Sequence, residues 1–422
     1  MKVLLLNQCF YPDVVATAQQ LTDLAVGLTR EGHEVTVIAS DRGYDDPSKR
    51  FLRHESWNGI KIIRIPSLAL GKEAKWRRAA NFASFLCSCA LRLLLLPRFD
   101  VVVALTSPPL ISFLGSRFVR VKGGKFFSWV MDLNPDEAIA AGWLKADSLI
   151  AKLLGRLLRS SLLHAERIIA LDHFMKQRIV EKGVPEARVT VLPPWAHEDS
   201  VTFDQQGRDA FRQQHQLEES FVVMYAGNHS PCHPLDTLVE AARCLSSRKD
   251  IVFCFVGGGS EQRKVKEFAA HHKLENIRCL PYQPFDMLAG SLSAADLHVV
   301  VMGNDFVGIV HPCKLYNILT IGSPFLYIGP RQSHITEIAS QSGEGYRTYS
   351  ARNGDVEGVA ACILAAMKVV PDLERRRVPR IAATFSRKVL LPRLVRLLEC
   401  EAEQESQVAG TGKRASYMSA TR

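Results

Sequence analysis

The chain has 422 residues, of which 47% are hydrophobic and 23% charged, and this composition excludes a globally disordered protein. The length exceeds what one ordinary hydrophobic core supports, so two domains are expected. Its 53 lysines and arginines outnumber its 43 aspartates and glutamates, and the net charge of +10 favours an anionic partner such as a phosphorylated ligand or a lipid surface. Because no nucleic-acid-binding motif accompanies the charge, nucleic acid is not an expected partner.

Ten cysteines are scattered along the chain without a CxxC pair. Several lie in apolar runs such as IVFCFVGGG, which indicates reduced thiols in a cytosolic protein rather than a disulfide framework or a zinc site. The histidines also lack metal-ligand spacing, so neither a metal nor another cofactor is expected. The N-terminal MKVLLLNQCFYP has a very short apolar run and no small-residue cleavage site, and it is predicted to begin with a strand rather than a signal peptide.

Strand-like and helix-like segments alternate through the first half. KVLLLNQ is a short apolar strand, ATAQQLTDLAVGLTR has apolar residues at helical spacing, and EVTVIAS follows as a second strand after Gly32. Further strands are predicted at GIKIIRIP, FDVVVALTSPP and GGKFFSWVMDLNP, and ERIIALDHFMKQRIVEKGVPEARVTVLPP is predicted to be strand, helix and strand. Parallel strands covered by helices on both faces are the expected result.

A polar stretch after Pro193 and Pro194 predicts the interdomain linker. The second half then repeats the alternation, with strands at FVVMYAGN, DIVFCFVGGG, IRCLPYQP, DLHVVVMG and SPFLYIG and helices at 234–249, 260–273, 285–295 and 313–321. We therefore predict an α/β fold with two doubly wound Rossmann-like domains, 1–195 and 196–385, facing a cleft. Residues 386–405 are predicted to form a helix that packs back on the first domain, and 406–422 a disordered tail.

Two turns of the second half combine glycines with polar residues. Asn228 and His229 follow an apolar strand and precede a helix, where free N–H groups and the helix dipole favour an anion, although Asn228 can also simply shape the turn. Gly257, Gly258 and Gly259 end the next strand, and three glycines allow a ligand to approach the backbone more closely than a structural turn requires. Both turns are candidate phosphate sites.

A third polar interruption lies in FVGIVHPCKLYNILTIG. If FVGIV is a strand and CKLYNILTIG the following helix, His311 lies in the turn, and Lys314 in the first helical turn shares a face with Asn317. A cation opposes the helix dipole at that place, so Lys314 is best explained by an anion that it meets there. A solvated lysine and a histidine bonded to the backbone are the structural alternative.

The order of YAGN, VGGGSE, LPYQP, LSAADLHVV and GIVHPCKLYNILTIGSP resembles the nucleotide-sugar half of the GT-B glycosyltransferases of family 4. The likeness is greatest to the bacterial branch that builds cell-surface polysaccharides of the colanic acid and O-antigen type. In the first half NQCFYPD, GHEVTV, SPP and WVMDLNPDE resemble segments of the same branch. The resemblance spans about residues 1–400, and several ordered motifs are more specific than one.

The resemblance implies that 1–195 is the acceptor-side domain and 196–385 binds a UDP or GDP sugar. It implies donor-binding residues Asn228, His229, His233, Gly257, Gly258, Gly259, Tyr282, His311, Lys314 and Asn317. The Glu-x7-Glu segment of the family falls on Ile309 and Asn317, so both carboxylates are absent, and Asn317 is expected to hold a ribose hydroxyl less strongly than Glu. His229 and His233 stand where many relatives carry Arg and Lys for the diphosphate.

The predicted function is retaining glycosyl transfer of the hexosyltransferase type, from a nucleotide diphosphate sugar to a lipid-linked or polysaccharide acceptor. Lys314 is the predicted catalytic cation, because cations stabilise a departing diphosphate, and the simplest retaining scheme requires no protein nucleophile. The missing Glu pair leaves two alternatives open: a catalytically inactive sugar-nucleotide-binding or scaffold module of the same fold, and a sugar-nucleotide epimerase.

Asp132, in WVMDLNPD, is the second predicted catalytic residue. It follows a predicted strand of the first half, and its carboxylate could orient or deprotonate the acceptor hydroxyl. An Asx turn ahead of Pro135 explains the same residue equally well, so the catalytic and the structural interpretation both stay open for Asp132.

Two Leu-rich basic segments bear on the membrane. Residues 79–97 nearly reach the about 20 residues of a spanning helix, but the arginine and asparagine inside them favour a helix at the interface. Lys72, Lys75, Arg77 and Arg78 precede them, so we predict a cytoplasmic protein held peripherally on the anionic inner face of the plasma membrane. SLIAKLLGRLLRSSLLHAERI has a similar composition and is predicted to be a domain-covering helix.

Overall fold

A computed structural model describes residues 1–44, 46, 48–71, 75–197, 199–369 and 377–401. The chain divides into two compact units: unit 1 comprises Met1–Pro193 with the chain from Leu390 onward, and unit 2 comprises Pro194–Val389. Each unit is a mainly parallel sheet with helices, which confirms the predicted α/β class. The predicted tail at 406–422 and the last part of the predicted terminal helix, 402–405, lie outside the described residues.

Unit 1 is built on an eight-stranded sheet. Its strands are β1 (Lys2–Leu6), β2 (Glu34–Ser40), β3 (His54–Trp57), β4 (Ile60–Ile65), β5 (Val101–Ala104), β6 (Lys125–Trp129), β7 (Arg167–Ala170) and β8 (Val189–Val191). The order is β3-β4-β2-β1-β5-β6-β7-β8, and only the β3–β4 pair is antiparallel. Strand β5 is buried along its whole length, as expected for the middle of a sheet covered on both faces.

Strand β3 is an edge strand that our sequence analysis missed. It pairs antiparallel with β4 through a tight turn at Asn58 and Gly59, which have φ angles of 50° and 79°. These left-handed conformations are the ones that an Asn-Gly hairpin turn requires. The dipeptide was therefore a sufficient signal, although β3 itself is only partly buried and carries no apolar run.

The helices of unit 1 before its last segment are α1 (Ala16–Arg30), α2 (Lys75–Leu94), α3 (Ile111–Lys122), α4 (Asp136–Ala140), α5 (Leu149–Leu163) and α6 (His173–Glu181). Helix α1 follows the predicted spacing, because Leu21, Leu24 and Leu28 are all fully buried. It stops where expected: Gly32 adopts a φ of 81°, and its N–H donates to the carbonyl of Thr29.

Unit 2 is built on a six-stranded sheet whose strand pairs are all parallel. Its strands are β9 (Phe221–Asn228), β10 (Ile251–Gly258), β11 (Ile277–Leu280), β12 (Leu297–Val301), β13 (Phe325–Ile328) and β14 (Thr348–Ala351). The order is β11-β10-β9-β12-β13-β14, so the strand order reverses at β9. Ligands of such sheets bind outside the carboxyl ends of the strands at the point of reversal, which here is the end of β9.

The helices of unit 2 are α7 (Gln205–Gln214), α8 (Asp236–Cys244), α9 (Ser260–His271), α10 (Leu288–Ser293), α11 (Lys314–Thr320), α12 (His334–Gln341) and α13 (Val356–Lys368). Two predicted helices are shorter than expected, since α8 ends at Cys244 and the segment before α10 is a 3-10 turn at Phe285–Met287. The predicted strand FVGIV does not form. Gly308 has a φ of 71°, which no strand accommodates, and the segment runs as turns into α11.

The predicted linker is wrong in its extent, because much of the polar stretch belongs to unit 2. Helix α7 lies within it and buries Phe211 together with Arg208 and Arg212. These two guanidinium groups donate to the two carboxylate oxygens of the buried Asp296, at 2.8 and 3.0 Å. A buried carboxylate with two arginines and a backbone N–H, that of Val222, is fully paired, so the charged residues of α7 are core residues.

Residues 387–401 form the last described helix, α14. From Leu390 onward it belongs to unit 1. It packs closely on α1, because a Cβ added to Gly27 of α1 would lie 3.3 Å from the methyl carbons of Leu391. Farther along, the carboxylate of Glu399 lies 2.8 Å from His33 Nε2, and Glu401 pairs with Arg167. These contacts join α14 to both α1 and β7.

Candidate functional site

Strands β9 and β10 end side by side in unit 2. Gly227 is in register with Gly257, and Asn228 with Gly258. The backbone itself requires glycine at position 257. A Cβ there would lie 2.1 Å from the carbonyl oxygen of Gly227, and the φ angle of Gly257 is 134°. The close approach that we expected for a ligand is therefore made, at Gly257, by the neighbouring strand.

Lys314 extends into this end of the sheet from the first residue of α11. Its Nζ is buried, lies 3.4 Å from the centroid of the Tyr225 ring, and has no hydrogen-bond partner among the described residues. It passes beside Gly227, where an added Cβ would lie 3.5 Å from Lys314 Cε. Burial lowers the pKa of Lys314 well below its usual 10.5. The aromatic face is thus its main local partner, and a buried cation without an anion is costly.

His229 contacts the same tyrosine. Its ring meets that of Tyr225 edge-on with centroids 4.9 Å apart, and neither ring nitrogen has a hydrogen-bond partner in the described part of the chain. Burial first and the charge of Lys314 second lower the pKa of His229 to about 4. The ring is therefore neutral at pH 7, and it has an N–H donor available.

His233 completes this cluster. Its Nδ1–H donates to the carbonyl oxygen of Val301 at the end of β12, at 2.8 Å, so Nε2 of the neutral ring carries no proton. Burial, and after it the charge of Lys314, lower the pKa of His233 to about 3. The residues Lys314, His229 and His233 are named here the basic cluster. One lysine and two neutral histidines thus gather at the carboxyl ends of β9 and β12.

Two further predicted donor residues lie at the same edge. Asn228 is exposed at the end of β9, and its carbonyl accepts from the Tyr225 hydroxyl at 2.9 Å. The exposed Tyr282 packs its ring against Gly258, since a Cβ added to Gly258 would lie 3.0 Å from the ring. The Tyr282 hydroxyl is 3.3 Å from the Gly258 carbonyl oxygen. An exposed aromatic ring beside a buried basic cluster is suited to stacking on a planar base.

His311 and Asn317 have protein partners of their own. His311 is buried, with Nε2 2.6 Å from the Tyr316 hydroxyl and its ring stacked on His334 at 3.8 Å. The Asn317 side-chain oxygen accepts from the backbone N–H of His197 at 3.4 Å. Contacts of these two residues with a donor stay predictions, and the structure does not bring them into the basic cluster through any described contact.

In unit 1, Asp132 follows β6 as predicted. Its backbone N–H donates to the Thr106 hydroxyl at 3.2 Å, and burial, with Glu137 as a second cause, raises the pKa of its carboxyl from 3.8 to about 8. A carboxyl with a raised pKa donates a hydrogen bond in its protonated form and is a stronger base in its ionised form. Both predicted roles of Asp132, orienting the acceptor hydroxyl and deprotonating it, therefore stay predictions.

The sequence comparisons agree with this architecture. Residues 16–195 match the family model described as glycosyl transferase 4-like domain, and residues 207–312 match glycosyl transferases group 1. The putative colanic acid biosynthesis glycosyl transferase WcaI of Escherichia coli K12 is 25% identical over 338 residues, 76% of this chain and 82% of that protein. The probable glycosyltransferase WbjE of Pseudomonas aeruginosa is 26% identical over 253 residues, 59% of this chain and 62% of that protein.

Among solved structures, Anabaena HepE in complex with UDP-glucose superposes with a TM-score of 0.65 at 14% sequence identity, over 97% of this chain and all of that one. The two parallel sheets and the two matched models define a GT-B glycosyltransferase. The chain belongs to family 4 of these enzymes, and it is a glycosyltransferase of the bacterial cell-surface polysaccharide type.

Proposed function

We propose that this enzyme transfers a sugar, with retention of configuration, from a UDP or GDP sugar to a lipid-linked or polysaccharide acceptor. One observation carries the proposal: the ammonium of Lys314 is buried without a hydrogen-bond partner among the described residues, at the point where the strand order of unit 2 reverses. The donor diphosphate supplies the missing anion. Its oxygens accept from Lys314 and from the N–H group of His229.

The same groups explain how the leaving group is stabilised. Negative charge accumulates on the diphosphate as its bond to the sugar breaks, and donors already fixed in a dry site stabilise that charge without reorganisation. Lys314 is fixed by the Tyr225 ring and His229 by its edge-on contact with that ring. In this proposal Asp132 orients the acceptor hydroxyl, and no protein group forms a covalent intermediate.

A thermal-shift screen of nucleotides and nucleotide sugars tests the donor. HepE was solved with UDP-glucose, so UDP-glucose is the first donor to examine. A donor at a hundred times its Kd adds about 2.7 kcal/mol to stability, and mass spectrometry of the products with the responding donor identifies the transfer. If neither UDP, GDP nor any of their sugars shifts the melting temperature, the proposed donor class is wrong.

The proposal includes peripheral attachment to the anionic cytoplasmic face of the membrane. No helix among the described residues is both long and apolar enough to cross a bilayer. Helices α2, α3 and α5 contain no Asp or Glu, and α3 contacts both others. Their basic residues are Lys75, Arg77, Arg78, Arg92, Arg117, Arg120, Lys122, Lys152, Arg156 and Arg159.

Large apolar side chains are exposed on and beside the same helices. They are Trp76, Leu91, Leu94, Leu95, Val121, Leu149, Ile150 and Leu153. Exposed apolar residues among lysines and arginines suit a helix surface lying on anionic lipid. The α5 residues in this set extend the surface beyond the segment that the sequence analysis assigned to the membrane.

Flotation with phosphatidylglycerol vesicles tests the attachment. Replacing Lys72, Lys75, Arg77 and Arg78 with Gln should release the protein, since each basic residue contributes about 1 kcal/mol near such a surface. The matched control removes four exposed basic residues of unit 2, namely Arg243, Lys249, Arg263 and Lys273. Equal release by both variants, or no binding of the native protein, would contradict the membrane assignment.

A further inference from the structure

The amine of Lys314 lies in surroundings that disfavour its charged form. Its Nζ is buried, and no carboxylate or other polar atom of the described residues is within hydrogen-bond distance of it. The Nζ atom lies 3.4 Å from the centroid of the Tyr225 ring. An aromatic face attracts a cation less strongly than water or a carboxylate does, so it offsets only part of the cost of burying the charge.

The groups on β9 and in the turn that follows it supply no anion. Burial raises the pKa of the Tyr225 hydroxyl well above 10, so this hydroxyl stays protonated. Burial also lowers the pKa of His229 to about 4 and that of His233 to about 3, so both rings are neutral at pH 7. The other titratable groups that act on the tyrosine are Cys232, Tyr282 and Glu261.

Helix α9 contributes charges of both signs to these surroundings. The carboxylate of Glu261 is buried, and its two oxygens lie 2.9 and 3.0 Å from Lys264 Nζ. Lys266 adds a positive charge that acts on His229. The carboxylate that acts on the Tyr225 ring is thus already paired within its own helix, and it leaves Lys314 without a counter-charge.

The free site and the occupied site therefore favour different forms of the lysine. A buried amine without a counter-charge favours its neutral form, and burial accordingly lowers the pKa of Lys314 well below 10.5. The negative oxygens of a diphosphate favour the ammonium instead, because they accept charge-assisted hydrogen bonds from it. Since each stabilises the other, the diphosphate raises the affinity of the site for a proton, and the proton raises its affinity for the diphosphate.

We propose that the nucleotide sugar and a proton bind together, and that the proton passes from solvent to Nζ of Lys314. This inference rests on the proposed donor site, because the donor diphosphate is the anion that makes the ammonium stable. The neutral amine gains the proton, no other bond forms or breaks, and the ammonium then donates to the diphosphate oxygens. His229 stays neutral and donates its N–H. The positive charge that stabilises the leaving group thus enters the site with the donor.

Isothermal calorimetry at about pH 8 in Hepes and in Tris, which differ in ionisation enthalpy, counts the protons taken up. UDP-glucose and GDP-glucose are the probes, because a diphosphate esterified at both ends stays fully ionised at this pH and takes up no proton itself. The native protein should take up about 0.5 to 1 proton with the sugar nucleotide that it binds. Its affinity should then fall about 3- to 10-fold per pH unit between about pH 6.5 and 8.5, whereas uridine or guanosine should bind without a proton.

Substitutions assign the proton to one residue. Lys314→Met should bind the nucleotide sugar more weakly and without proton uptake. Lys314→Arg has a charge that does not titrate, so it should also bind without proton uptake, and melting curves check that both variants fold. His229→Leu should retain the native proton uptake. Lys249→Met, which removes an exposed lysine of the same unit, is the matched control and should retain it too.

The outcomes separate this inference from the proposed function. Binding of a nucleotide sugar by the native protein without proton uptake would overturn the inference and leave the proposed donor intact. Proton uptake that persists in Lys314→Met, or that is lost in His229→Leu alone, would overturn the assignment to Lys314. If neither nucleotide sugar binds, the proposed donor and this inference both fail.

Discussion

Replacing Lys314 should weaken donor binding while leaving the protein as stable as before, or more stable. Lys314→Met keeps the length of the side chain and removes its charge. In the structure the ammonium is buried over the Tyr225 ring and lacks a hydrogen-bond partner in the described part of the chain, so the folded protein meets a desolvation cost that no anion offsets. A lysine with a purely structural role would instead lose stability on substitution.

The magnitude follows from the kind of contact that is lost. A hydrogen bond to a charged group contributes about 1.5 to 3 kcal/mol, and a water-excluded site places Lys314 toward the upper end. We expect the nucleoside diphosphate to lose roughly 10- to 150-fold in affinity. The nucleoside without phosphates should bind Lys314→Met and the native protein equally, because it offers no anion to the ammonium.

The pH dependence of stability has a definite sign. Because burial lowers the pKa of Lys314 in the folded state, the unfolded chain binds more protons between the folded pKa and 10.5. The stability of the native protein therefore falls as pH is lowered through this window. The advantage of Lys314→Met should therefore grow as the pH is lowered from 10.5 and should vanish above 10.5.

Isothermal calorimetry with the diphosphate and the nucleoside, together with urea denaturation, measures both effects. Lys249→Met is the matched control, since it removes an exposed lysine of the same unit, and it should change neither affinity. Equal losses for diphosphate and nucleoside would show that Lys314 supports the site only indirectly. Destabilisation by Lys314→Met would refute the reasoning from the uncompensated buried charge.

Substitutions at three other positions, Asn317, His229 and Asp296, test further parts of unit 2. Calorimetry should show that Asn317→Leu weakens donor binding by about 1 to 3 kcal/mol. The native protein should bind a 2′- or 3′-deoxy donor more weakly by a similar amount. Asn317→Glu should preserve or strengthen donor binding. Between pH 6.5 and 5 the native protein should lose about 1 to 2 kcal/mol at His229, whose pKa is about 4 when folded, and urea denaturation of His229→Leu should not show that loss. Asp296→Ala should cost about 3 to 5 kcal/mol by calorimetric melting, because it leaves two buried arginines unpaired, while Asp250→Ala, at an exposed pair, should have little effect.

Buried parallel strands were the part of the fold that the sequence predicted best. FVVMYA in β9 and VVV in β12 are unbroken apolar runs, which is the pattern expected of a strand that is covered on both faces. The failures occurred where backbone conformation overrode hydropathy. FVGIV has the apolar content of a strand, but the positive φ of Gly308 bends the chain there. HESW lacks that content, yet the hairpin turn at Asn58 and Gly59 makes it an edge strand.

The extent of the linker was misjudged for an electrostatic reason. A segment rich in Arg, Asp and Gln is usually exposed, so the stretch containing Arg208 and Arg212 was predicted to be a linker. Its partner, Asp296, is 84 residues beyond Arg212 in the sequence, and only the tertiary structure brings them together. No local pattern distinguishes an arginine that will be paired and buried from one that will be solvated.

For the candidate site, the polar residues were a better indicator than the glycines. The run of three glycines was interpreted as room for a ligand, yet a Cβ at Gly259 would collide with the carbonyl of His229, at 2.3 Å, so the chain's own packing already explains that residue. Lys314 and His229 have no such explanation, since burying a lysine or a histidine without a hydrogen-bond partner lowers stability. A glycine is retained wherever the backbone needs it, whereas an unpaired buried cation is retained only if something outside the chain compensates for it. Lys314 is therefore the residue from which the function of this site is most directly inferred.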